Sequence, residues 1–113
     1  MSGRYERHSL QGGLLTHHVG SSDSKAGYSW IEILRKKYPE TRSFTCAVHG
    51  CRAEGVLGAH VRAGRLNEFG KLFGCGGTPV VPCCKAHHNT RGGQIRIKAT
   101  PAVVDMNAPL DLF

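Results

Sequence analysis

Apolar side chains recur at helical spacing in one stretch of the chain. Trp30, Ile33, Leu34 and Tyr38 fall on one face, Glu32, Arg35 and Lys36 fall elsewhere, and Pro39 follows. Ser29 with Glu32 three positions on has the form of a capping box. The pattern predicts an amphipathic helix over residues 30–38. The other apolar runs are short. Ser43-Phe44-Thr45 and the run 56–61, with Ala53-Glu54-Gly55 as a turn, predict a β-hairpin. Residues 78–82 read as an extended segment, 84–90 as a short helix broken at Gly92-Gly93, and Ile95-Arg96-Ile97-Lys98 as a half-exposed strand. Residues 62–73 read as a loop with a helical turn, because Gly64 and Gly70 interrupt the register of Leu66, Phe69, Leu72 and Phe73.

Gly3, Gly12, Gly13, Gly20 and the run Ser21-Ser22-Asp23-Ser24 make residues 1–25 read as a flexible leader, with Leu14, Leu15 and Val19 as a short apolar patch on the core. Residues 26–113 then form a single domain with its motif core at 44–92. The expected class is α+β: a small metal-stapled unit with an N-terminal amphipathic helix packed on it.

Composition adds two constraints. With 113 residues, 40% apolar, 7% aromatic and 15 glycines, the chain supports one modest core, which a metal would help to hold. No run approaches the roughly 20 apolar residues of a membrane span, and the polar opening residues are not a secretory signal. A cytoplasmic location without membrane attachment is expected. Fifteen Lys and Arg against 8 Asp and Glu give a net charge of +7, which suits a polyanion, nucleic acid being the commonest.

The five cysteines read better as metal ligands than as disulfides. Cys83 and Cys84 are adjacent, so bonding to each other would be strained, and cysteines alternate with histidines at short spacing. Cys46-x4-Cys51 and Cys84-x2-His87, about thirty residues apart, supply four ligands for one structural Zn²⁺. His49 competes within the first pair, and Cys83 and His88 compete within the second. Cys83 is assigned to packing and Cys75, in a Gly-rich loop, to a free thiol.

Two ligand pairs flanking a strand that carries His60, with His88 and Asn89 directly after the last ligand, resemble the HNH (ββα-metal, treble-clef) endonuclease superfamily. The likeness spans residues 46–91. It implies a treble clef and a metal-dependent nuclease acting on phosphodiester bonds, with His60 as general base and His88 holding a catalytic Mg²⁺ or another divalent ion. Ala59 stands where the family usually has an acidic residue before the base, and Thr78 and Pro79 stand nearest the family's middle Asn. These departures leave a second expectation, a zinc module that binds nucleic acid or a protein without cutting. Arg62, Arg65, Lys85 and Arg91 flank the site as candidate contacts to nucleic acid, DNA ahead of RNA; Lys71, Arg96 and Lys98 extend the basic set.

Overall fold

A computed structural model describes residues 5–7, 9–10, 12, 14–18, 24–62, 78–90 and 94–105. These residues form a mixed helix-and-strand structure. In chain order the elements are β1 (Tyr5–Arg7), β2 (Leu14–His18), α1 (Ser24–Lys37), β3 (Leu57–Arg62), β4 (Thr78–Cys83), α2 (Lys85–His88), β5 (Gln94–Ile97) and β6 (Val103–Asp105). The six strands make one antiparallel sheet in the order β1-β6-β4-β3-β2-β5.

Strand alternation sorts the core into two layers. The ladder aligns His60 with Val80 and Val80 with Val103, so these side chains share the face covered by α1. There Ile31, Leu34, Tyr38, Phe44, Val80 and Val103 are buried together, with Trp30 and Ile33 packed against them. The Tyr38 hydroxyl donates to the Ala102 carbonyl at 2.9 Å, which satisfies its polar end inside the core. Ala59 and Val81 face the other way, and that side splits into two clusters. Leu10, Ala47, Val61, Val81, Ile97 and Ala102 form one, and Cys46, Ala59, Cys83 and Cys84 form the other.

Three expectations change. The helix begins at Ser24, six residues ahead of the apolar stripe, because Gly27 lets its first turn lie close to β3 and α2: a Cβ there would meet Leu57 Cδ2 at 3.3 Å and His88 Nε2 at 2.8 Å. Residues 43–45 do not pair with the run 56–61 as a hairpin. Thr45 makes only an isolated bridge to Glu54, while β3 takes β4 as its partner, Leu57 opposite Cys83 and His60 opposite Val80. β4 is buried at every position, so it shows no contrast between faces that would reveal which segment it pairs with. Finally, β1 and β2 fall within the stretch read as a leader: β1 pairs with β6, and β2 lies between β3 and β5. The predicted loop and helical turn at 63–73, and Cys75, lie outside the described residues.

Candidate metal centre

The first ligand pair sits in a tight loop stitched between two strands. The Cys46 amide donates to Ala53 O at 2.8 Å and Gly55 to Phe44 O at 2.7 Å, which closes the loop's neck. Cys51 N–H reaches back to Val48 O at 3.0 Å, and Gly50 takes φ +84°, a left-handed conformation that L side chains rarely adopt. Outside the loop, Ala47 N donates to Pro82 O on β4, and His49 N to Arg96 O on β5 at 2.7 Å. Backbone bonds therefore fix the positions of Cys46 and Cys51 from both sides.

The second pair opens α2. Cys84 is the N-cap, in extended conformation with φ −78° and ψ 165°, and its side chain makes no cap hydrogen bond. Its carbonyl accepts the His88 amide at 2.8 Å. His87 is three positions on, where the N-cap and third-residue side chains of a helix meet, as in a capping box. Here the meeting pair is a sulfur and an imidazole.

The ligand atoms of Cys46, Cys51, Cys84 and His87 all lie within 4.8 Å of one another. Cys46 Sγ is 3.6 Å from His87 Nδ1, Cys84 Sγ is 3.2 Å from the same nitrogen, and Cys51 Sγ is 4.0 Å from Cys84 Sγ. Zinc bonds of about 2.3 Å to sulfur and 2.0–2.1 Å to nitrogen, at tetrahedral angles, put two sulfurs about 3.8 Å apart and a sulfur and nitrogen about 3.5 Å apart. The observed edges bracket those values, so the group is close enough to hold a metal ion and its geometry is compatible with zinc. None of Cys46, Cys51, Cys83 and Cys84 is in a disulfide. His49, the competing first-pair ligand, is exposed and is not in the group.

Electrostatics separate the sulfurs. The Cys83 thiol hydrogen-bonds to Cys46 and holds it as a thiolate, with its pKa lowered to about 4 from an ordinary 9.0 against the opposing effect of burial. The same hydrogen bond, followed by burial, pushes the Cys83 thiol up, so it stays protonated as the donor. Burial, then the charge on Cys46, raises Cys84. A divalent ion reverses that last shift, because thiols that coordinate a metal are deprotonated outright. Cys83, read from sequence as packing, thus also donates to a ligand; its adjacency to Cys84 obscured this.

His60 and His88 occupy different surroundings. His60 lies on the α1-covered face, its Nε2 3.2 Å from Asp105 Oδ2 and its ring edge-on to Trp30 with centroids 4.9 Å apart. His88 is 1% exposed, with its ring centroid 6.3 Å from that of His18. The His18 ring in turn hydrogen-bonds the Thr90 carbonyl just past α2. Among the described residues, the Cys/His cluster is the only group of three or more potential ligands, and neither His60 nor His88 belongs to it.

Of the expected nucleic-acid contacts, Lys85 is exposed on the first residue of α2 and Arg62 ends β3. Arg65 and Arg91 lie outside the described residues. Asp105 ends the apolar run Ala102-Val103-Val104 in a tail with no motif, so no sequence signal points to it. Among the described residues, no helix is long and apolar enough to cross a membrane. No family model matches the chain, and no curated protein and no solved structure matches it significantly.

Proposed function

We propose that this chain is a treble-clef-like zinc module that binds nucleic acid, DNA in preference to RNA, without cutting it. Zinc on Cys46, Cys51, Cys84 and His87 joins the knuckle loop to α2 and supplies no chemistry to a substrate. One observation favours binding over hydrolysis: His88, the residue expected to hold a catalytic ion, is enclosed at 1% exposure beneath α1. Ala59, in the acidic position before His60, is fully buried and offers no oxygen to a cation. The +7 charge supplies the attraction. The test is zinc-loaded protein with plasmid and Mg²⁺, Mn²⁺ or Ni²⁺. A salt-sensitive mobility shift with intact plasmid is expected, and failure to shift DNA or RNA at low salt counts against the proposal.

A specific contact favours a second reading, the HNH-type nuclease. Asp105 beside His60 orients the imidazole as a carboxylate orients a general base, and the His60 side chain retains 16% exposure. In that case a divalent ion would offset charge on the phosphate. Plasmid cleavage that disappears in His60→Ala would select this reading over the first.

A further inference from the structure

Resting on the nucleic-acid-binding reading, we infer that the rim of the metal centre is the surface that grips the phosphate backbone, with Arg52, Lys85 and Arg96 as its contact residues. Arg52 directly follows Cys51 and Lys85 directly follows Cys84, and the sulfurs of those two cysteines are 4.0 Å apart. Arg96 joins them through the backbone, since its carbonyl accepts the His49 amide of the same knuckle at 2.7 Å. Three segments distant in sequence therefore meet at the backbone beside the metal ligands, each carrying a cation.

All three side chains are exposed, and among the described residues none is paired with a carboxylate. Lys98 is committed: its ammonium donates to the Cys51 carbonyl and braces the knuckle instead of facing a ligand. Exposed His49 lies between Cys46 and Cys51 and adds a further donor to the rim. The cations on β1 and α1 differ. Arg7 is bridged to Glu40, and Arg35 and Lys36 stand three and four residues after Glu32 on α1, at the spacing that lets charges compensate. Arg52 and Lys85 each adjoin a metal ligand, so their backbones are held before a polyanion arrives and less ordering is lost on binding.

Zinc-loaded protein, titrated into a short labelled duplex DNA over a salt series, tests this. The triple variant Arg52→Gln, Lys85→Gln, Arg96→Gln is compared with a control of equal charge change, Arg35→Gln, Lys36→Gln, Arg42→Gln, at residues exposed on α1 and in the segment that follows it. The rim triple is expected to lose about 100-fold or more in affinity and to flatten the salt slope by about three contacts, against less than about fivefold and an unchanged slope for the control. Equal losses in both triples, or none in the rim triple, overturn the inference while leaving nucleic-acid binding intact. Wild-type protein that binds neither duplex DNA nor RNA overturns the binding reading itself. If the rim triple no longer retains zinc, the single variants decide, each expected to reduce the slope by about one.

Discussion

His60 on β3 and Asp105 on β6 meet across the intervening strand β4, Nε2 3.2 Å from Oδ2. Both side chains are largely enclosed, at 16% and 10% exposure, and Trp30 of α1 closes over the histidine. The contact ties β6 to β3 on the helix side of the sheet. Asp105→Ala is expected to lower unfolding stability by about 1–2 kcal/mol, because a part-buried imidazole loses an acceptor. Urea denaturation measures this, and zinc content should stay unchanged because the pair is not among the metal ligands.

Gly58, one residue before Ala59, is where α1 rests on the sheet. A Cβ there would lie 2.4 Å from the Trp30 Cβ and 3.0 Å from the Trp30 backbone carbon. The helix must move to admit even a methyl group. Gly58→Ala is expected to destabilise by about 2 kcal/mol or more, read as a fall in thermal midpoint. Gly50→Ala probes a different constraint: nothing lies within 4 Å of its added Cβ, so any cost comes from the left-handed φ of +84°. A loss of about 1 kcal/mol is expected there.

Cys83 provides a test of ligand assignment. Its thiol donates to the Cys46 sulfur and stays protonated. Cys83→Ala should still bind one metal equivalent, with affinity reduced about 10–100-fold, as when a partner of a ligand is removed. Competition with a chromophoric zinc chelator reads this out. Complete loss of zinc would instead place Cys83 among the ligands.

Acid should release the fold in a defined window. Cys46 is held at about 4 by the Cys83 hydrogen bond, below its ordinary 9.0. A lowered pKa contributes stability that is present in full above about 9 and is lost as pH falls towards 4, because the unfolded chain binds the proton first. Cys83 is shifted upward, so it remains protonated through that window and does not add to the slope, whereas Cys84 is deprotonated while it holds a metal and takes up its proton on release. The thermal midpoint is expected to fall as pH is lowered from 9 towards 4, with metal release in the same range. A flat profile would contradict the thiolate assignment.

Much of the metal cluster was legible in sequence, because C-x4-C and C-x2-H spacings are local and a loop or helix turn fixes them almost alone. The same holds for the stripe Trp30, Ile33, Leu34 and Tyr38, although the helix extends back to Ser24 on the strength of the Gly27 contact. Pairing was not legible. β3 takes β4 across an intervening stretch of fifteen residues, 63–77, and nothing local to 43–45 indicates that the run 56–61 pairs elsewhere. The two N-terminal strands were hidden because they are short and flanked by glycines and serines, and the partners that make Leu14–His18 a strand, β3 and β5, lie far along the chain. The Cys46–Cys83 and His60–Asp105 contacts depend on that same long-range register.

X-ray absorption and elemental analysis of the purified protein test the zinc assignment most directly. One zinc per chain is expected, with three sulfurs at about 2.3 Å and one nitrogen at about 2.0–2.1 Å, and chelation should abolish both the folded circular-dichroism signal and DNA binding. A metal-free protein that stays folded and binds DNA equally well, or a Cys46–Cys84 disulfide in place of the ion, would contradict it.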